Sequence, residues 1–82
     1  MFINKAPDGR NNISGGRIAA FRKDAGLSQR ELADKLQLKG LDLDKNAIQR
    51  MECGKRFITD IELVSIAATF GVSVLDLLPE SV

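Results

Sequence analysis

Apolar residues recur at spacings of three and four along most of this chain, in short runs divided by polar or glycine-containing breaks. Met1 to Ile13 lacks that period and carries Pro7, Asp8-Gly9 and Asn11-Asn12, so residues 1–13 read as a flexible arm ahead of one domain, 14–82. Ser14 is a candidate N-cap for helix one, whose inward face is Ile18, Phe21 and Ala25 and whose stop is Gly26. Ser28 and Glu31 form a capping box that opens helix two, with Leu32, Ala33 and Leu36 buried and an end near Gln37. Leu38 to Leu43, containing Gly40, is the turn. Asp44 can cap helix three, with Ile48 and Met51 inward and Gly54 ending it. Thr59 and Glu62 make a second capping box, opening helix four with Leu63, Ile66, Ala67 and Phe70 inward and Gly71 as its stop. Ser73 caps a last short helix that turns Leu75 and Leu78 inward and ends at Pro79. The predicted fold class is all-α, a bundle of five helices with no strand.

Composition narrows what such a bundle can do. The 82 residues make one domain, near the lower size limit for folding alone. With no Trp, no Tyr and four Phe, the core falls to aliphatic side chains. There is no His, which removes Cys/His zinc sites, Ser-His-Asp triads and Cys-His dyads. Cys53 is the single cysteine, so no internal disulfide is possible; it reads as a small filler, and the chain as a cytoplasmic protein. No apolar run nears the roughly 18 residues of a membrane span, and the first residues lack the layout of a secretory signal. With no phosphate-cradling glycine loop and no convergent carboxylate pair, the expectation is a protein that is not an enzyme and uses no cofactor or metal.

The net charge of +1 is weak, but its distribution is uneven. Arg10 to Arg56 holds eleven Lys/Arg against six Asp/Glu, a net of +5, whereas Phe57 to Val82 holds only Asp60, Glu62, Asp76 and Glu80. A basic end and an acidic end orient a protein on a polyanion.

Helices two and three and their connection carry the chemistry. Ala33 is the small residue that lets the next helix cross closely, and Ile48 is that helix's apolar anchor, the arrangement of a helix-turn-helix. Leu27-Ser-Gln-Arg-Glu-Leu-Ala-Asp-Lys-Leu36, Ile48-Gln-Arg-Met-Glu52, Gly54-Lys-Arg56 and Ala67-Ala-Thr-Phe-Gly-Val-Ser73 together resemble the lambda-repressor/Cro-like (XRE) family, over about Gly16 to Leu78. The resemblance implies a five-helix bundle that binds double-stranded operator DNA as a homodimer with helix three in the major groove, in transcription regulation. It also implies that Gln29 clamps a backbone phosphate at the start of helix two, and that Arg22 and Glu52 form a structural ion pair tying helix one to helix three.

A helical wheel at about 100° per residue tests helix three separately. Ala47, Ile48, Met51 and Glu52 fall on one side, and Lys45, Asn46, Gln49 and Arg50 on the other. Cations pair with guanine edges and amides with adenine edges, so these four are the candidate base-reading residues. Lys55 and Arg56, just past the helix, are candidate phosphate cations. Lys39 joins them because the turn is roughly five residues longer than the family's short one and lies near the expected backbone. Asp44 stands where the family commonly has Ser or Thr, and sets a carboxylate toward phosphates. For a dimer surface, Val74 and Leu77 are the candidates, left over once Leu75 and Leu78 turn inward. The near-neutral total charge and the acidic C-terminal half keep an alternative open, an antitoxin or protein-interaction module using the same fold.

Overall fold

The structure, a computed structural model, describes residues 5–6 and 8–79. The expectations placed on residues 1–4, 7 and 80–82 lie outside those described residues. The elements, in chain order, are α1 (Gly15–Asp24), α2 (Gln29–Leu38), α3 (Lys45–Glu52), α4 (Asp60–Phe70) and a 3-10 turn (Val74–Leu77). The described residues are all-α as predicted, but with four α-helices and a 3-10 turn where a fifth helix was expected.

Local sequence sets the boundaries. The Ser28 hydroxyl accepts from the Glu31 N–H at 3.0 Å while the Glu31 carboxylate accepts from the Ser28 N–H at 2.9 Å, which satisfies two of the amides a helix start leaves open. Thr59 and Glu62 repeat the device at α4, and the Asp44 carboxylate takes the Ala47 N–H at 2.8 Å to open α3. Gly71, at φ 70°, takes the left-handed conformation that ends α4, a region where a side chain would be strained. Ser14, by contrast, makes no side-chain cap for α1. Asn12 does so instead, accepting the Gly15 N–H through Oδ1 at 2.9 Å.

The core gathers Ile18 of α1, Leu32, Ala33 and Leu36 of α2, Ile48 and Met51 of α3, Ile66 and Ala67 of α4, with Leu43 and Leu77. Phe21 and Phe70 stack at its edge, with ring centroids 5.8 Å apart. α2 packs most extensively against α3, and the 3-10 turn rests on α1 and α4. The long connection before α3 is stitched rather than loose: Leu43 is buried, Leu41 packs against the core, and Gln37 donates to the Leu43 carbonyl at 2.8 Å.

Two expectations are corrected here. Leu77 is fully buried, at 0% exposure, and Val74 packs against the core, whereas Leu75 is 78% exposed. Val74/Leu77 and Leu75/Leu78 have the same three-residue spacing, so periodicity cannot choose between them. The turn opens where the Asp76 carboxylate accepts from the Ser73 N–H at 3.0 Å and its hydroxyl at 3.2 Å, and its packing on α1 and α4 makes the choice. Leu77 is therefore no dimer surface. The second correction concerns Arg10 to Asn12, assigned to the arm, which lie along the chain just past α3. Arg10 donates to the Glu52 carbonyl at 2.9 Å, the Asn11 N–H to that of Gly54 at 2.8 Å, and Asn12 Nδ2 to those of Met51 at 2.9 Å and Arg56 at 2.7 Å. The Glu52, Gly54 and Arg56 carbonyls are ones that a helix end and the loop after it leave open, and the strap closes them.

Candidate nucleic-acid interface

The geometry of α3 follows from what holds its two sides. Ile48 and Met51 are buried, which turns Lys45, Asn46, Gln49 and Arg50 outward, and all four are exposed. Among the described residues none of these four side chains makes an intramolecular hydrogen bond or ion pair. The lengthened connection does not fold across them. Two cations and two amides thus share an open helical face with unspent donors and acceptors.

The other side of α3 is fixed by ionic ties. Arg22 reaches from α1 to Glu52, Nε to Oε2 at 2.7 Å and NH2 to Oε1 at 3.0 Å, and its third nitrogen donates to the Leu27 carbonyl at 2.8 Å. The Glu52 hydrogen bond, against the opposing cost of partial burial, raises the Arg22 pKa above its ordinary value. Gln29, the first residue of α2, donates Nε2 to Glu52 Oε1 at 3.1 Å. The amide expected at a phosphate is therefore tied into this pair, with its second N–H remaining. The tie sets the start of α2, with its open Gln29 and Arg30 amides, beside the end of α3.

The cations past α3 separate. Lys55 is exposed. Arg56, expected over phosphates, is instead engaged by Glu62 in a two-pronged pair, NH1–Oε1 and NH2–Oε2 each 2.9 Å. Arg56 and the Thr59 N–H hold the Glu62 carboxyl below its ordinary range, with burial opposing. Arg56 thus ties the loop to the cap of α4. Lys39 is exposed but lies beside Leu38, Ala68 and Thr69, toward α4. Cys53, read as a small filler, is exposed, its Sγ 3.6 Å from the Arg50 carbonyl. Arg30, exposed in the first turn of α2, was passed over in the sequence although it lies within the same capping box.

No helix among the described residues is long and apolar enough to cross a membrane. No curated protein sequence matches the chain. Among solved structures it is similar to the DNA-binding domain of BldD, with 30% identity and a TM-score of 0.69 over 82% of this chain and 90% of that one. It is similar at 26% identity and TM-score 0.69 to the clp gene regulator ClgR from Corynebacterium glutamicum, covering 79% of this chain but 64% of that one, under two thirds of its length. The restriction-modification controller protein C.AhdI from Aeromonas hydrophila matches at 25% identity and TM-score 0.69, over 79% of this chain and 87% of that one. A family model described as helix-turn-helix spans residues 18–77, taking in α2, α3 and the connection between them. The chain belongs to the XRE-type helix-turn-helix family.

Proposed function

We propose that this protein is a cytoplasmic transcription regulator that binds double-stranded DNA as a homodimer and reads base edges in the major groove with α3. The observation that carries the reading is the open face of Lys45, Asn46, Gln49 and Arg50 on a helix whose opposite side is locked by Ile48, Met51 and the Arg22–Glu52 pair. A rigid helix with free donors can be seated in a groove at small entropic cost. Arg50 and Lys45 suit guanine O6 and N7, and Gln49 and Asn46 suit adenine N6 and N7. Backbone contacts come from the open amides and side chains of Gln29 and Arg30 at the start of α2, and from Lys55. The DNA-binding character of the BldD domain, at 30% identity, supports the same assignment.

Selection from a pool of random duplexes, at a fixed moderate salt, tests it. The expected outcome is an enriched two-fold symmetric motif with half-site centres about 34 Å apart. Recovery of a pool with no enriched sequence overturns base reading.

A further inference from the structure

The outer side of α4, though broken by half-buried Ser65 and Thr69, is mostly apolar where a solvent-facing helix should be polar. Its inward residues are Ile66, Ala67, Leu63 and Phe70. On the opposite side of the wheel stand Ile61, 68% exposed, Val64, 57% exposed, and Ala68, at successive spacings of three and four. No charged residue occurs between Glu62 and Asp76, so nothing ionic marks this face as a water boundary. The flanking Thr69 hydroxyl is already satisfied by the Ser65 carbonyl at 2.9 Å and seeks no outside partner. A helix apolar on both sides belongs between two layers, and this chain supplies one of them.

The ends of the stripe differ in shape and charge. Beyond Ala68 lies a shallow groove lined by Lys35, Leu38, Lys39, Ala68 and Thr69, in which Leu38 is 89% exposed. At the other end stand the larger Ile61 and the exposed Asp60, with exposed Phe57 three residues ahead of the helix. Small and cationic at one end, bulky and anionic at the other, the stripe is complementary to its own reverse. A two-fold axis through Val64 sets each Ile61 against the partner's Ala68 and each Asp60 near the partner's Lys35 and Lys39.

We infer that the outer face of α4 is the self-association surface of this protein, through which two copies pair antiparallel and cross at Val64. The inference rests on the two-copy reading proposed above and names the surface for it. Two-fold pairing makes every contact twice, so one complementary end contributes two patches. It covers Leu38 and Ile61, which the single chain leaves in water, and leaves the α3 face outside the interface.

Sedimentation equilibrium without DNA tests this directly. The parent protein is expected to sediment as two chains. Val64→Asp, at a position already exposed and with helical circular dichroism equal to the parent's, is expected to associate at least tenfold more weakly. Asp60→Lys should weaken association and Asp60→Lys with Lys39→Asp should restore it, because the two charges meet only in the antiparallel pair. A single-chain parent, a two-chain Val64→Asp, or a double variant no better than Asp60→Lys overturns the inference. Its failure is distinct from that of DNA reading. A two-chain Val64→Asp protein with normal duplex selection removes the surface alone, whereas an α4-dependent dimer that selects no duplex removes the DNA reading alone.

Discussion

Glu52 holds three elements at one carboxylate, through Arg22 from α1, Gln29 from α2 and its own place in α3. Both charged side chains of the pair are largely out of water. Truncating one member leaves the other buried and unpaired, so Arg22→Ala is expected to cost about 3–5 kcal/mol. Replacing both by Met and Leu should cost much less, since a buried pair adds uncertain net stability. Urea unfolding of the two variants beside the parent checks this, and equal losses in the single and double variants would refute it. Asn12 is the other residue on which several segments converge, joining the Met51 and Arg56 carbonyls to the first amide of α1. Asn12→Ala is expected to lose about 1–3 kcal/mol in the same assay, as buried polar groups lose their partner. Glu62 gives the stability a pH dependence. Its folded carboxyl is held below the ordinary value of 4.5, so the unfolded chain takes up protons first as pH falls. Stability from the Arg56–Glu62 tie is therefore complete above that value and is lost as pH drops through the folded one. Thermal melts of parent and Glu62→Gln should converge toward acid; a gap that widens there would contradict the assignment.

At the scale of elements, what could be read from sequence is what is decided locally. The capping boxes at Ser28 and Thr59, the Asp44 cap and the glycine stops were legible because each depends on residues three or four apart. The strap was not, because Asn12 bonds carbonyls 39 and 44 positions away and nothing in a run of Asn and Gly specifies that distance. The last turn misled for another reason: two equally spaced apolar pairs competed, and docking against α1 and α4 selected Val74 and Leu77. The outward face of α3 was legible because Ile48 and Met51 alone determine its rotation. The Arg56–Glu62 pair was not foreseen because a cation just past a helix has the same sequence signature whether it faces solvent or a carboxylate. At this scale Gly15 is the point where α1 and α3 touch, since a Cβ there would collide with the Met51 carbonyl. Gly15→Ala is therefore expected to weaken duplex binding by shifting α3, with a lowered melting temperature, while Gly16→Ala, facing open space within the helix, lowers neither.

For the whole molecule, the proposed function and the inferred pairing divide the work among three surfaces: the α3 face toward DNA, the strap and Glu52 ties behind it, and the outer side of α4 for a second copy. The rigid ties and the open face are one design, because a reading helix gains specificity only if it cannot rotate to suit a wrong base. The uneven charge supports the same orientation, with the cations concentrated before Phe57 and the acidic residues after it. Lys55→Ala should weaken all duplexes alike and reduce the salt dependence by about one ion's worth, since a phosphate cation carries no sequence information. Base reading by α3 is put to the test by titrating parent and Arg50→Ala against the selected duplex and its single-base variants. Arg50→Ala is expected to lose about 1–3 kcal/mol of discrimination at one base pair per half-site and to keep it elsewhere. Equal loss on every duplex, or none, would contradict it.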